Sequence, residues 1–343
     1  MYKHFTGKIM LHTLGLCVVL TLIILSGCPE HTTGIHYNSI ATDSNGNVWT
    51  GTGYGIAKFS PSESIIGRYI PEVYVLGIAI DANGNVWVSG ITSTVSNYTD
   101  ASVLTALRPD GNVIQNYTTD KSGNISIDDK GNIWIADRDG SITQVSSAGV
   151  TVGTYQVCSS TNAIAIDSSG KVWITCEQKE SNGTLGAIAE LSPTGTTLNY
   201  YYLNNVPLGI AIDPNGNMWV SLSSYTNNLT ELNINGITIG TYQAGSVLNG
   251  IAIDIYGNIW AANTEGVTEL SPTGSKIKDY PVCAGAVGVA IDVSGNVWVY
   301  CPTKHDNSVT YKMTRLIDVT KGPQYFPNKG PQFSGGGGNY ANF

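Results

Sequence analysis

The sequence predicts an all-β fold, a seven-bladed β-propeller of four-stranded antiparallel blades, and two observations carry this prediction. The first is a frame of Asp-x-x-Gly-x-x-Trp that occurs seven times and contains all 7 tryptophans of the 343-residue chain. The second is the spacing, because successive tryptophans are 38 to 47 residues apart, close to the length of a propeller blade. The seven frames begin at Asp43, Asp81, Asp128, Asp167, Asp213, Asp254 and Asp292.

Each frame is expected to form a β-hairpin, and the stretch from residue 76 to residue 89 shows why. Ile78–Ile80 and Val86–Val88 are rich in β-branched and aromatic residues, and turn residues lie between them. Asp81 can accept backbone hydrogen bonds, and Gly84 supplies the positive φ that a bulged hairpin needs. Both arms are apolar on both faces, so both faces must be covered. We therefore expect the tryptophans to pack between blades rather than to stack on a ligand.

A second, weaker unit follows each frame and completes a blade of strands a, b, c and d. Residues 185–195 and 266–274 each end in Ser-Pro-Thr-Gly, and residues 237–242 form a further strand. Proline is tolerated there because the end of a strand needs no ladder donor. The propeller domain is expected to span residues 37–320. Its blades are expected at residues 37–70, 75–118, 123–156, 161–202, 207–242, 247–280 and 285–320.

On these residues the repeat resembles the NHL-type bacterial propellers and, more loosely, the streptogramin-lyase-like group. Residues 46–59, GNVWTGTGYGIAKF, also resemble the propeller repeat of two-component sensors. The resemblance covers about residues 37 to 316 and implies the fold. Streptogramin lyases use His and Glu residues with magnesium, and their blades often read Trp-Phe-Thr-Glu. This chain has Trp-Val-Ser, Trp-Ile-Ala or Trp-Ala-Ala instead, so no catalytic residue is carried over.

Composition limits the partners that the protein can bind. Charged residues make up 12% of the chain and the formal net charge is −8, with few Lys and Arg, all scattered. Binding to nucleic acid needs a clustered positive surface, so a nucleic-acid partner is excluded. We expect a monomer.

The first 36 residues are expected to be a lipoprotein signal peptide, residues 1–27, followed by a lipidated tether, residues 28–36. Lys3 and Lys8 precede an apolar stretch, and Leu-Ser-Gly-Cys28 matches the bacterial lipobox. An ordinary secretory signal or a retained membrane helix are the alternatives, but the apolar stretch is short for a span and ends in small residues. We therefore expect Cys28 to carry the lipid and to hold the protein at the cell envelope, facing the periplasm or the exterior. Residues 321–343 are a Gly/Pro-rich tail.

Four cysteines remain after removal of the signal and lipidation of Cys28, and they form two pairs with the same spacing. Cys158 and Cys283 each lie nine residues before a frame aspartate, and Cys176 and Cys301 each lie three residues after a frame tryptophan. These positions are neighbours in an antiparallel sheet, so an oxidising compartment favours the disulfides Cys158–Cys176 and Cys283–Cys301. A four-cysteine zinc site is the alternative, and it would need two blades three apart in the ring to converge.

Polar residues in the b–c loops are the candidate binding face, together with the tyrosines of the d–a loops. Only three histidines remain in the mature chain, which excludes a site built on several histidines. The sequence therefore indicates a module that binds an unknown protein, peptide or glycan, with no catalytic residue, metal ligand or cofactor. A lyase or lactonase that uses Mg²⁺ or Ca²⁺ is the alternative. The candidate residues are Asp137, Arg138, Asp139, Glu177, Lys304, His305 and Asp306.

Overall fold

The computed structural model describes residues 39–52, 55–70, 72–93, 100–180, 183–223, 228–246, 248–305, 308–316 and 334–335. All of these except Ser93 and Asp100 belong to one compact unit, residues 37–92 and 101–343. The predicted signal peptide, the tether with Cys28 and almost all of the predicted tail lie outside the described residues. Among the described residues, no helix has the length and apolar character needed to cross a membrane.

Seven antiparallel sheets form the unit, and each follows the chain from an innermost to an outermost strand. The innermost strands are β1 (Ile40–Thr42), β5 (Val73–Ile80), β9 (Gly123–Ile127), β13 (Ser160–Ile166), β17 (Pro207–Ile212), β21 (Ile251–Ile253) and β25 (Gly288–Ile291). The second strands are β2 (Val48–Gly51), β6 (Val86–Ser93), β10 (Ile133–Asp137), β14 (Val172–Glu180), β18 (Met218–Leu222), β22 (Ile259–Asn263) and β26 (Val297–His305).

The third strands are β3 (Ile56–Phe59), β7 (Asp100–Leu107), β11 (Ser141–Val145), β15 (Gly183–Leu191), β19 (Asn228–Leu232), β23 (Gly266–Leu270) and β27 (Ser308–Leu316). The outermost strands are β4 (Ile65–Tyr69), β8 (Val113–Thr118), β12 (Thr151–Gln156), β16 (Thr197–Leu203), β20 (Thr238–Gln243) and β24 (Lys276–Tyr280). Six sheets therefore hold four consecutive strands, and the seventh holds three in the described part of the chain. Each innermost strand contacts the next around the ring, and β25 contacts β1, so the predicted seven-bladed propeller is confirmed.

The frame folds as predicted, and the second blade shows how. Gly84 has a φ of 80° and donates its N–H to the carbonyl of Asp81 at 2.9 Å. Asp81 Oδ1 accepts from the backbone N–H of Asn83 and of Asn85, each at 2.9 Å. Its Oδ2 accepts from Asn85 Nδ2 at 3.0 Å and from Trp87 Nε1 at 3.1 Å. One carboxylate therefore holds both the turn and the tryptophan.

Every tryptophan lies between blades, as the sequence predicted. Trp49 packs with Val73 and Val75 of the second blade, and Trp298 packs with Ile40 and Val48 of the first. All seven side chains are at most 4% exposed. The core is thus divided into seven apolar clusters, one for each interface between blades.

Hydrogen bonds also cross from blade to blade and close the ring. Between the last and first blades, Thr42 Oγ1 donates to the Ile291 carbonyl at 2.9 Å, and the Tyr300 hydroxyl donates to the Gly51 carbonyl at 2.5 Å. The predicted outermost strand of the seventh blade lies beyond Leu316, outside the described residues. A two-residue strand from the predicted tail, β28 (Ser334–Gly335), pairs antiparallel with β13 of the fourth blade rather than with the seventh blade.

Candidate functional site

The propeller has two different faces because consecutive strands run antiparallel. The frame turns and the c–d turns lie on one face. The b–c hairpins and the d–a loops lie on the other, which we call the upper face.

Two b–c hairpins extend further above the upper face than the sequence predicted. In the fourth blade, β14 and β15 have nine residues each and stay paired from Val172–Leu191 to Glu180–Gly183. In the seventh blade, β26 and β27 also have nine each and stay paired from Val297–Leu316 to His305–Ser308. The corresponding strands have five residues each in the third blade, β10 and β11, and eight each in the second blade, β6 and β7. We call the two long pairs the raised hairpins.

A disulfide lies at the base of each raised hairpin, and both predicted pairings are confirmed. Cys158 is bonded to Cys176 with a Cα–Cα distance of 5.7 Å, and Cys283 to Cys301 with 6.2 Å. Cys176 and Cys301 are each fully buried, four residues below the end of their strands. The two pairs belong to different blades and each is complete in itself. A shared four-cysteine zinc site is therefore excluded.

The turn Asp137–Gly140 joins β10 to β11, and its two carboxylates hold its shape. Asp137 Oδ1 accepts from the Asp139 N–H at 3.0 Å, and Asp139 Oδ1 accepts from the Ser141 N–H at 2.9 Å. Asp137 Oδ2 accepts from the Ser122 N–H at 2.9 Å, which ties the turn to the loop before β9. Both predicted site aspartates thus have structural partners.

Electrostatics reinforce that turn. Lys121 and Asp139 form an ion pair. Partial burial opposes ionisation of Asp139, but hydrogen bonds from Lys121 and Ser141 outweigh it, and the pKa of Asp139 falls to about 2. The hydrogen bond with Asp139 raises the pKa of Lys121. Both groups therefore stay charged, which suits them to hold a loop rather than to transfer a proton at neutral pH.

The structure brings only part of the predicted site together. Glu177 of β14 pairs with Ser160, and the hydroxyl of the next residue, Thr161, donates to the Asp137 carbonyl at 2.6 Å. The Asp137 turn and the base of the fourth-blade hairpin are therefore neighbours. Lys304 and His305 end β26, three blades away around the ring, and Asp306 lies outside the described residues.

Two exposed side chains lie beside the fourth-blade hairpin, of which sequence reasoning missed Leu185 and included Tyr202 only among the d–a tyrosines. Leu185 is 44% exposed and Tyr202 is 62% exposed. Tyr202 pairs with Ala187, so Leu185 is its diagonal neighbour on the same side of the sheet. This side faces the third blade, because Gln178, the partner of Leu185, donates to the Val157 carbonyl at 3.3 Å. The run of three tyrosines was the only signal for this surface in the sequence.

Other tyrosines have a different role from the one that the sequence suggested. Tyr155, Tyr242 and Tyr280 were expected at the upper face, but their rings pack against Trp134, Trp219 and Trp260. The hydroxyl of Tyr242 donates to Glu231 at 2.8 Å and that of Tyr280 to Glu269 at 2.8 Å. They are structural residues of the blades.

Two amide side chains near the axis link neighbouring blades. Asn162 Nδ2 donates to the Pro207 carbonyl and Asn249 Nδ2 to the Ala286 carbonyl, each at 2.9 Å, so these amides link neighbouring blades. Mg²⁺ and Ca²⁺ take oxygen ligands, and for Ca²⁺ these include Asn and Gln amide oxygens as well as carboxylates. In the described ranges, no group of three or more His, Cys, Asp and Glu is placed to hold a metal ion.

Comparisons with known proteins support the architecture. The sequence matches no protein-family profile and no curated protein. The structure is similar to the WD40 β-propeller domain of Doa1, with a TM-score of 0.64 and 13% identity over 84% of this chain and 96% of that one. It is also similar to a gluconolactonase from Xanthomonas campestris, with a TM-score of 0.52 and 15% identity over 81% and 95% of the two chains. At these identities the similarity shows the fold alone, that of a β-propeller.

Proposed function

We propose that the protein is a binding module that takes a protein, peptide or glycan on its upper face, with no identifiable catalytic site. The observation that carries the proposal is the disulfide at the base of each raised hairpin. A crosslink there limits the fluctuations of the hairpin, and a surface that is ordered in advance loses less entropy when it binds.

The chemistry around the fourth-blade hairpin supports recognition rather than catalysis. Leu185 and Tyr202 offer exposed apolar area, and the exposed side chains of Lys179 and Arg138 lie on the same face. Aromatic residues and arginine surrounded by polar groups are enriched in protein interfaces. Asp137 and Asp139 already hold the turn beside this surface, so they are not free to act as a catalytic pair.

Site-specific photo-cross-linking tests which face binds. A photoreactive residue replaces Lys179 in the raised hairpin, and in a control variant it replaces the exposed Ser168 in the frame turn of the same blade. The two positions lie at opposite ends of one blade, and therefore on opposite faces of the propeller. In cells, we expect a discrete adduct from position 179 and none from position 168. Adducts at 168 alone, or at neither position, would contradict binding at the upper face.

The proposal includes attachment to the cell envelope. Residues 1–27 are a lipoprotein signal, Cys28 is the lipidated residue, residues 28–36 are the tether, residues 37–320 the propeller and residues 321–343 the tail. Metabolic labelling with a palmitate analogue should mark the wild type, and Cys28→Ala should abolish the label. A Cys28→Ala variant that still carries the label would contradict lipid attachment at Cys28.

A metal-dependent lactonase or lyase is the second candidate, and the similarity to the Xanthomonas campestris gluconolactonase fold favours it. We place the chain instead with NHL-type propellers, because its frames lack the acidic residue of the streptogramin-lyase blades. Titration calorimetry with Mg²⁺ and Ca²⁺ separates the two candidates. We expect no saturable heat, and binding of one ion per chain would favour the enzyme.

A further inference from the structure

The outer side of the third, fourth and fifth blades carries no charged residue. This side, which we call the side wall, consists of each c–d turn with its outermost strand, residues 146–156, 192–203 and 233–243, and it contains no Asp, Glu, Lys, Arg or His. A typical soluble surface carries about 25–35% charged residues. The side wall is therefore unusual even for a chain with 12% charged residues.

Aliphatic side chains project from this uncharged surface. Val150 is 64% exposed, Val152 57%, Leu198 51%, Ile237 62% and Ile239 51%. Exposed aliphatic residues also occur on β4, β8 and β24, so the side wall differs from the other outermost strands in lacking charge rather than in having aliphatic side chains.

The side wall also presents strand edges. Among the described strands, β12, β16 and β20 each end their sheet. An edge strand offers unpaired backbone N–H and C=O groups, and natural proteins usually protect such edges with charged side chains or proline. The three strands read TVGTYQ, TLNYYYL and TIGTYQ, and none contains either protection.

In the first, second and sixth blades, the c–d turn or the outermost strand carries charge. In the first blade β4 contains Arg68, and the preceding turn contains Glu63. In the second blade β8 reads VIQNYT and is itself uncharged, but the preceding turn contains Arg108 and Asp110. In the sixth blade β24 contains Lys276, Lys278 and Asp279. In the described part of the chain, an uncharged c–d turn followed by an uncharged outermost strand thus occurs only in the three consecutive blades of the side wall.

We propose that a second copy of this chain docks on the side wall, with the two β20 strands paired antiparallel about a twofold axis. The chain carries a net charge of −8, so two copies repel each other over most orientations. The side wall lets them approach without placing like charges together. An antiparallel pair is self-complementary, because the same strand stands on both sides of the twofold axis.

The contact is centred on β20 because its blade carries the most apolar edge. Ile234, in the turn before β20, is 45% exposed and adds to Ile237 and Ile239. Paired strands of six residues extend about 20 Å. A contact of this length lies at the small end of specific interfaces, so we expect dissociation in the micromolar range. This replaces the monomer expected from the sequence.

Light scattering coupled to size-exclusion chromatography tests the proposal on the full chain, purified in mild detergent. The wild type should elute as a concentration-dependent dimer. The double variant Ile237→Lys/Ile239→Lys should raise the dissociation constant at least tenfold. Thr241→Lys, which adds charge to the same edge without removing apolar area, should act in the same direction if the double variant folds poorly. The matched control is Ile277→Lys, because Ile277 is 52% exposed on the charged edge β24.

Three outcomes would overturn the proposal. The first is a wild type that stays monomeric at hundreds of micromolar, as it would if another partner covered the side wall. The second is a dimer that Thr241→Lys leaves intact. The third is a dimer that Ile277→Lys weakens as much as the side-wall variants do.

Discussion

Two buried tryptophans differ in one hydrogen bond, and this difference predicts different costs for the same substitution. Trp134 and Trp219 are both fully buried, and each stacks on a tyrosine of the outermost strand. Trp134 Nε1 donates to Asp128 Oδ2 at 3.0 Å, whereas Trp219 Nε1 has no hydrogen-bond partner. In the fifth blade Asn217 Nδ2 donates to Glu231 at 3.0 Å. Comparing Trp134→Phe with Trp219→Phe therefore isolates the contribution of the indole N–H hydrogen bond to stability.

The magnitude follows from what each substitution removes. Both variants lose the same apolar atoms, so the transfer and cavity terms nearly cancel between them. Trp134→Phe also loses a hydrogen bond to a charged acceptor, worth about 1.5–3 kcal/mol. Trp219→Phe removes a buried donor that has no partner, so its cost lacks this contribution. We expect Trp134→Phe to be the more destabilising of the two by about 1.5–3 kcal/mol.

Thermal and urea unfolding followed by far-ultraviolet circular dichroism measure the difference without relying on tryptophan fluorescence. The two Tm values should differ by roughly 3–6 °C for a domain of this size. Equal shifts would refute the argument that the frame aspartate stabilises the tryptophan. A larger shift for Trp219→Phe would show that its N–H has a partner in solution.

The remaining predictions concern the ionised groups and the disulfides. Glu190→Gln removes the partner of a lysine at 2.7 Å and should lower the free energy of unfolding by about 1 kcal/mol, measured by urea titration. Burial raises the pKa of Glu231, so the wild type gains stability as the pH falls. Glu231→Gln should therefore not lower the free energy of unfolding at pH 7. Any gain in stability over the wild type should disappear below pH 4.5. Cys158→Ser opens a loop with a sequence separation of 18 and should lower the free energy of unfolding by about 3 kcal/mol. A wild-type Tm that does not change on reduction would contradict this expectation. Lys121→Ala should raise the pKa of Asp139 from about 2 towards 3.8 in an NMR titration, and an unchanged pKa would show that the backbone bonds suffice.

The frame hairpins could be predicted from the sequence because their contacts are local. All the bonds of the Asp81 carboxylate reach residues within six positions along the chain. The cysteine pairs could be predicted for a similar reason, since Cys158 lies just before β13 and Cys176 lies in the adjacent strand β14. Sequence distance is short in both cases, so spacing is enough to identify the partners.

The role of Tyr155 and the height of the raised hairpins could not be predicted in the same way. Tyr155 packs against Trp134 and against Gly195 in the turn of the next blade, where any side chain would collide with its ring. Such a contact needs the arrangement of neighbouring blades. Apart from Leu185, residues 177–180 and 183–186 are polar or glycine on both faces because solvent reaches both faces of a raised hairpin, so their pattern does not distinguish strand from loop.

Closure of the ring has a consequence for the order in which the protein folds. The Thr42–Ile291 and Tyr300–Gly51 bonds each join residues 249 apart, whereas the other interfaces join blades that follow each other in the chain. Synthesis delivers the N-terminal end first. Ile40 and Val48 therefore have to stay uncovered until the seventh blade has been made, and this seam should form last. We therefore expect hydrogen exchange at the amides of β1 and β25 to show that this interface opens at a lower free energy than any other interface between blades.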